Sequence, residues 1–178
     1  LLDGDYNVIE EYKYDALGNC TAVIADGKTT SLHYDSTRRL INVEYPDGTK
    51  EKQSYDVEDN ILSYTNRLGY TWHSKFGSWN KLLEEIDPQG NKTRYSYNKW
   101  DTVDSIIDPN KNMLTFLHDQ CNRCTDIKEN GNVKESFEYE PAGNVIKCCG
   151  PDGKPTLQFI RGKGGQVEKE VLADGKEI

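Results

Sequence analysis

Cysteines are the residues of this 178-residue chain whose chemistry and spacing first suggest a site. Cys121 and Cys124 form a Cys-x-x-Cys pair, Cys148 and Cys149 are adjacent, and Cys20 stands alone. A zinc ion held by Cys121, Cys124 and Cys148 is one hypothesis, and a disulfide that uses Cys121 or Cys149 is another. Zinc sites usually repeat the Cys-x-x-Cys spacing, however, and adjacent residues on a strand point to opposite faces. We expect reduced thiols and no metal site.

Two tryptophans are candidates for binding a glycan. Trp79 and Trp100 lie 21 residues apart, and each indole offers a flat apolar face on which a sugar ring can stack. Hairpin arrays that bind cell walls or glucans carry a Gly-Trp motif and aromatic pairs, which this sequence lacks. We favour a structural interpretation, in which both rings pack within turns.

Catalytic residues are not indicated. The histidines, His33, His73 and His118, occur in unrelated contexts, and no serine or cysteine stands in a nucleophile elbow. The glycine-rich segment 161–165 lacks the spacing and the Ser or Thr of a phosphate-binding loop. We expect a chain that is not an enzyme and uses no cofactor.

Charge and hydropathy argue against several partners. The formal charge of −8 disfavours nucleic acid, because nucleic-acid surfaces need clustered Lys and Arg to displace phosphate counterions. No apolar run approaches the roughly 18 residues that cross a bilayer, so no membrane insertion is expected. The first residues, LLDGDYNVIEEYKYD, lack a basic segment followed by an apolar one, so they do not predict a signal peptide.

A repeat of 21 residues runs through the sequence. Its units begin with an aromatic residue followed by an acidic or small polar one, and the first interval is 20 residues whereas the next six are 21. The units start near Tyr14, Tyr34, Tyr55, Phe76, Tyr97, His118, Tyr139 and Ile160. This regularity predicts that residues 1–178 form a single repeat array.

Each unit contains two turn signals. Counting the first residue of a unit as offset zero, offset four is mostly Gly, Asn or Asp, which tolerate a positive φ or form side-chain turns. Offsets eleven to fourteen read YPDG at 45–48, DPQG at 87–90, DPNK at 108–111 and GPDG at 150–153. Two turns in 21 residues leave two strands of about six residues, so each unit is expected to be a β-hairpin. Apolar residues at both offsets six and seven indicate either a β-bulge beside the turn or burial on both faces.

The sequence therefore predicts an all-β fold, in which about eight hairpins form one long, curled antiparallel sheet. A flat ribbon of about 16 strands would be about 75 Å wide, and open sheets of that width usually curl. Rings and aliphatic side chains are expected on one face, and charged residues on the other. The segment WNKLLEEI at 79–86 resembles a helical turn, but the repeat register places it on a strand. Open sheet edges should favour edge-strand self-association.

Four segments resemble the YD repeats of the RHS family: YDALGNC at 14–20, YDSTRRL at 34–40, YDVEDNI at 55–61 and YEPAGNV at 139–145. The resemblance covers about residues 14–159. In that family the repeats form a spiralling β-sheet that closes into a hollow shell, which in bacterial polymorphic and insecticidal toxins surrounds a C-terminal toxic domain.

The resemblance implies a non-enzymatic wall segment of a secreted or surface-displayed protein. Its partners would be the remaining repeats of the shell and the enclosed toxin domain. The autoproteolytic site of the toxin branch has a DPxGL-like core, whereas residues 87–90 continue as Asn91-Lys92 and are better explained as a turn. The alternative function is an extracellular module that binds carbohydrate or protein.

Overall fold

The computed structural model describes residues 10–178, which form two compact units composed almost entirely of strands. The described part of the first unit, residues 10–92, contains β1 (Glu10–Tyr14), β2 (Cys20–Ala25), β3 (Lys28–Tyr34), β4 (Leu40–Glu44), β5 (Lys50–Tyr55), β6 (Ile61–Thr65), β7 (Thr71–Gly77), a 3₁₀ turn (Ser78–Asn80) and β8 (Lys81–Ile86). The second unit, residues 93–178, contains β9 (Lys92–Tyr97, whose first residue closes the first unit), β10 (Val103–Ile107), β11 (Met113–His118), β12 (Cys124–Glu129), β13 (Asn132–Tyr139), β14 (Val145–Cys149), β15 (Pro155–Arg161) and β16 (Val167–Leu172).

The strands are antiparallel, and within each compact unit neighbouring strands follow the order of the chain. The predicted all-β hairpin array is therefore confirmed. The helix-like segment 79–86 forms strand β8 from Lys81 onward, as the repeat register predicted. No helix in residues 10–178 has the length and apolar character that would let it cross a membrane.

One row of turns lies at offsets one to five of the units, and we call these segments the YD turns. The predicted positive φ at offset four is present in the first seven units, at Gly18, Arg38, Asp59, Asn80, Asp101, Asn122 and Gly143. In the eighth unit the positive φ falls on Gly165, and Arg161 pairs with Val167 where the other units pair their ring residue. The aromatic position of this unit is thus taken by Arg161, the residue after Ile160.

A β-bulge follows every YD turn in the described sheet. In the first unit Tyr14 pairs with Cys20 and Lys13 pairs with Ala22, so Thr21 is the extra residue. The same shift leaves one residue unpaired in each later unit: Ile41, Leu62, Leu83, Asp104, Thr125, Ile146 and Glu168. Of the two explanations for the adjacent apolar residues at offsets six and seven, the bulge is the one observed.

The second row of turns, which we call the distal turns, explains the 20-residue first interval. Residues 45–48 form a four-residue turn in which the Gly48 N–H bonds the Tyr45 carbonyl at 2.9 Å. Five residues, 45–49, separate the paired Glu44 and Lys50, whereas four, 25–28, separate the equivalent pair Ile24 and Thr29 around the two-residue turn at 26–27 of the first repeat. The sixth unit also has a two-residue turn, at 130–131, but a bulge at Lys134 restores the 21-residue length.

Residues directly opposite one another share a face, and several ring and aliphatic residues gather on one face together with Glu51, which pairs with Val43. In the first compact unit Leu32 pairs with Val43, and Tyr64 stacks on Trp72 with ring centroids 5.9 Å apart. On the other face Asn42 pairs with Lys52. Within residues 10–178, Cys149 is the only hydrophobic residue that is buried. Stability must therefore come from many half-buried contacts between neighbouring strands.

Two substitutions at equivalent distal-turn positions should have opposite effects on stability. Gly90 and Lys111 both have a positive φ, of 85° and 71°, and a Cβ at Gly90 would meet no atom within 4 Å. Gly90→Ala should lower the free energy of unfolding by about 1 kcal/mol, because only the left-handed backbone is penalised. Lys111→Gly should raise it by a smaller amount, since the added freedom of the unfolded glycine opposes the relief of strain. Chemical denaturation of both variants checks this, and equal signs would contradict it.

Candidate functional site

The carboxylate at offset one organises the YD turn from within. In the first unit Asp15 Oδ1 accepts the N–H groups of Leu17 at 2.9 Å and Asn19 at 2.8 Å, and Oδ2 accepts Asn19 Nδ2 at 2.7 Å. Asp56 and Asn60 repeat this arrangement. In both turns the asparagine side-chain hydrogen bond is the main reason that the pKa of the aspartate lies below its ordinary value. The aspartate is therefore a charged, multiply bonded cap of the turn.

An arginine at offset five links one YD turn to the next. Arg39 Nε donates to Asp35 Oδ2 at 2.7 Å within its own turn. Its NH1 reaches the following turn, where it donates to the Asp56 carbonyl at 2.5 Å and to Asp59 Oδ1 at 2.8 Å. The guanidinium also lies 4.8 Å from the centre of the Tyr55 ring. Arg39 thus contacts a carboxylate, a carbonyl and a π face of two successive units.

The second compact unit contains an equivalent arginine. Arg123 Nε donates to Asp119 Oδ2 at 2.6 Å, and its NH1 donates to the Glu140 carbonyl of the next turn at 3.2 Å. Its guanidinium lies 4.7 Å from the centre of the Tyr139 ring. The sequence signal for this link is an arginine four residues after the aspartate of a YD turn, and our sequence analysis did not recognise it.

The tyrosine at offset zero points back to the preceding unit. Its hydroxyl donates to the carbonyl at offset six of that unit in three places: Tyr34 to Cys20 at 2.9 Å, Tyr55 to Leu40 at 2.9 Å and Tyr139 to Cys124 at 2.6 Å. Burial is the main cause that raises the pKa of all three hydroxyls, so they remain protonated donors at neutral pH. The tyrosine that names the repeat is therefore a lateral link between hairpins.

Arg161 makes the same link without a ring. Its NH2 donates to the Val145 carbonyl, at offset six of the preceding unit, at 3.2 Å. Its NH1 donates to the Gly165 carbonyl at 3.0 Å. Arginine at this position thus replaces the tyrosine hydroxyl as the donor, whereas Phe76, at the same position of the fourth unit, has no donor.

The fourth YD turn departs from the pattern. Gly77 occupies offset one, where a Cβ would lie 2.8 Å from Leu83 Cδ1, so the bulge residue covers the place of the usual aspartate. We expected the Trp79 ring to pack within the turn, but it is 86% exposed and does not. Asn80 still connects this turn to the preceding one, because its Oδ1 accepts Asn60 Nδ2 at 3.1 Å. In the fifth unit Trp100 is 47% exposed, and Lys99 Nζ lies 4.1 Å from the centre of its ring.

The five cysteines are free and occupy different kinds of position. Cys20 and Cys124 are at offset six and are partly buried, whereas Cys121 is exposed at the tip of a YD turn. On β14, Cys148 pairs with Phe137 and Cys149 pairs with Ser136, so the adjacent thiols belong to opposite faces. No three His, Cys, Asp or Glu side chains among residues 10–178 are grouped in a way that could hold a metal ion.

The hydrogen bonds of the YD turns position successive hairpins relative to one another. Its donors and acceptors are engaged with each other: carboxylates with turn N–H groups, guanidinium groups with carbonyls, and hydroxyls with carbonyls. The site that repeats along the described chain is therefore a set of lateral links between successive units.

Removing one tyrosine hydroxyl should have a measurable effect on stability. Tyr34→Phe deletes the donor to the Cys20 carbonyl but keeps the ring, so the free energy of unfolding should fall by about 1 kcal/mol. Tyr14→Phe is the matched control, because this offset-zero ring is 62% exposed and its hydroxyl bonds none of the described residues. Urea denaturation compares the two variants. Equal losses of stability would contradict a specific role for the lateral hydrogen bond.

Acid should destabilise the YD turns through their aspartates. The Arg39 backbone N–H and then its side chain hold the pKa of Asp35 well below its usual range. Because the pKa is lower in the folded state, the stabilisation is complete above the ordinary value of about 3.9 and is lost as the pH falls below it.

The variant Asp35→Asn tests this linkage. Its unfolding free energy should lie below that of the wild type at neutral pH, and the two should converge progressively as the pH falls from about 4 toward the lowered folded-state pKa. Asp104→Asn is the control, since that exposed bulge carboxylate makes no hydrogen bond with the described residues. A constant difference between Asp35→Asn and the wild type at all pH values would contradict the linkage.

Two toxin complexes are among the solved structures that match the chain. The crystal structure of TcdB2-TccC3-TEV matches with a TM-score of 0.47 and 14% identity, over 92% of this chain and 11% of that chain. The Photorhabdus luminescens Tc holotoxin pore matches with a TM-score of 0.46 and 13% identity, over 94% of this chain and 12% of that chain.

Sequence comparisons match the chain to parts of longer proteins. The chain is 22% identical to the probable deoxyribonuclease RhsA of Dickeya dadantii (strain 3937), over 67% of this chain and 10% of the relative. It is 24% identical to the double-stranded DNA deaminase toxin A of Burkholderia cenocepacia (strain H111), over 75% of this chain and 9% of the relative. It thus spans about a tenth of the length of these curated relatives. Residues 12–50 match the model of the RHS Repeat, so this part of the chain is similar to that repeat.

Proposed function

We propose that this chain is a wall segment of a hollow RHS shell that encloses a toxin or effector domain C-terminal to it. The observation that carries the proposal is the set of lateral links, in which the hydroxyls of Tyr34, Tyr55 and Tyr139 and the guanidinium groups of Arg39 and Arg123 bond neighbouring units. Links of this kind stabilise an array that grows by adding units, because each unit contacts only its neighbours.

The two faces of the sheet support a role in enclosure. Rings and aliphatic residues such as Leu32, Val43 and Tyr64 lie on one face, and residues such as Lys52 lie on the other. A wall needs an outer surface that water solvates and an inner surface that packs against or confines a cargo. The charge of −8 is in keeping with a large solvated face.

The name of one relative, a DNA deaminase toxin, supports the toxin part of the proposal. RhsA and the deaminase toxin are named for activities of proteins about ten times longer than this chain. We assign no nuclease or deaminase activity to these 178 residues and propose a non-enzymatic role for them. The parent protein would be secreted or displayed at the cell surface. Its other repeats would cover the sheet edges, through which the isolated segment is expected to self-associate.

Limited proteolysis of the full-length parent protein tests the enclosure. The wild-type shell should protect the region C-terminal to the repeats, which is read out by mass spectrometry of the fragments. Replacing both Tyr34 and Tyr55 with Ala removes two lateral links and should open the wall, so that this region is cut at least several-fold faster.

Tyr70→Ala is the control for that experiment, because Tyr70 is an exposed ring in a distal turn and its hydroxyl makes no hydrogen bond with the described residues. This variant should protect the C-terminal region as well as the wild type does. Rapid cleavage of the C-terminal region in the intact wild-type protein would overturn the proposal, as would a parent protein in which no domain follows the repeats.

A further inference from the structure

Arg67 joins two distal turns of the first compact unit. It lies in the distal turn between β6 and β7, and its NH2 donates to Asp47 Oδ2 at 2.6 Å in the distal turn between β4 and β5. Its Nε donates to Thr49 Oγ1 at 2.9 Å, and its guanidinium lies 4.0 Å from the centre of the Tyr45 ring. Arg67 therefore contacts a carboxylate, a hydroxyl and a π face of the preceding distal turn.

Both turns are held in shape before the arginine crosses between them. Asp47 Oδ1 accepts the Thr49 N–H at 3.0 Å and its hydroxyl at 2.6 Å, and the hydroxyl is the main reason that the pKa of Asp47 lies below its ordinary value. In the other turn Asn66 Oδ1 accepts the N–H groups of Leu68 at 3.0 Å and Tyr70 at 3.1 Å. A planar guanidinium thus meets an oriented carboxylate and ring, which is the geometry that arginine recognises best.

This contact is not a general property of the distal turns. The position equivalent to Arg67 is a proline in four other units: Pro46, Pro88, Pro109 and Pro151. A proline ring carries no donor that could reach a neighbouring turn. The bond between distal turns therefore distinguishes the second and third units from those with proline.

Arg39 and Arg67 act on the two sides of β5, which pairs with both β4 and β6. Beside the YD turns, Arg39 directly precedes β4 and donates to the Asp56 carbonyl, which directly follows β5. Beside the distal turns, Arg67 follows β6 and donates to Thr49, which directly precedes β5. Separating β5 from β4 breaks the bonds of the first arginine, and separating β5 from β6 breaks those of the second.

We propose that β4, β5 and β6 form one cooperative unfolding unit, which Arg39 and Arg67 hold closed at opposite ends. Proteins open locally in contiguous units of this kind, and a strand that is bonded to a different neighbour at each end cannot leave either one alone. The inference goes beyond enclosure, since it concerns local opening and does not depend on what the wall surrounds.

The exposure of the link limits the size of its effect. The side chains of Arg67 and Asp47 are 45% and 54% exposed, so water screens their attraction. Removal of the guanidinium should therefore change the equilibrium between closed and open strands about two- to fivefold.

Native-state hydrogen exchange of the full-length protein tests the proposal. Arg67→Met keeps an aliphatic side chain and removes the donors, so the paired amides of β4, β5 and β6 should all exchange faster by that factor. Arg39→Met should speed exchange of the same amides. Arg38→Met is the matched control, because the Arg38 side chain is exposed and makes no hydrogen bond or ion pair with the described residues. It should leave the exchange rates unchanged.

Two outcomes would overturn the cooperative unit. Exchange that is unchanged in Arg67→Met would show that the distal bond contributes nothing to closure. Faster exchange confined to the ends of β4 and β5 beside residues 45–49, with β6 unaffected, would show that the strands open separately. Added salt provides an independent check, since screening should reduce the difference between Arg67→Met and the wild type.

Discussion

A sheet of one layer has no second layer against which to bury its side chains, and the rest of this structure depends on that constraint. A domain with a conventional core gains most of its stability from side chains that are removed from water. Within the described chain a single hydrophobic residue, Cys149, is buried. Neighbouring hairpins must therefore stabilise one another along the sheet, through half-buried rings and through hydrogen bonds that cross from one unit to the next.

The YD turn supplies those bonds at the point where the ladder is interrupted. The bulge at offset seven removes one residue from the regular pairing, next to the carbonyl that the following tyrosine contacts. Tyr55 of the third repeat donates to the Leu40 carbonyl of the second, and Arg39 of the second repeat donates to the Asp56 carbonyl of the third. The Arg39 guanidinium also lies over the Tyr55 ring. At Arg161 a guanidinium group, and not a tyrosine hydroxyl, donates to the carbonyl at offset six of the preceding repeat, so the hydrogen bond is retained although its donor differs. The aspartate stabilises its own turn, and the arginine or tyrosine side chain bonds that turn's repeat to the neighbouring one.

Much of this fold could be predicted from the sequence because the repeat reports the same position many times. One glycine at offset four is ambiguous, but Gly18, Asp59 and Asn122 at the same offset indicate a left-handed turn together. The bulge could not be separated from two-sided burial, since Leu62 and Ile146 are compatible with either. The lateral bonds were not predicted, because a hydrogen bond between Tyr34 and a backbone carbonyl leaves no trace in residue type beyond the ring itself. Trp79 was misjudged because turn packing was inferred from its offset, whereas the neighbouring Gly77 and Leu83 change that turn.

The distal turns can differ in their number of residues without changing the register at the YD turns. Whether the turn has two residues at 26–27 or four at 45–48, the partner of the offset-nine residue lies four positions before the next ring, as with Thr30 and Tyr34 or Glu51 and Tyr55. Gains and losses of residues at the distal turns are thus absorbed locally, and the lateral bonds at the other end of the hairpin stay in register. Insertions, epitope tags or whole loops can be accommodated along that side of the array, while the YD side admits none.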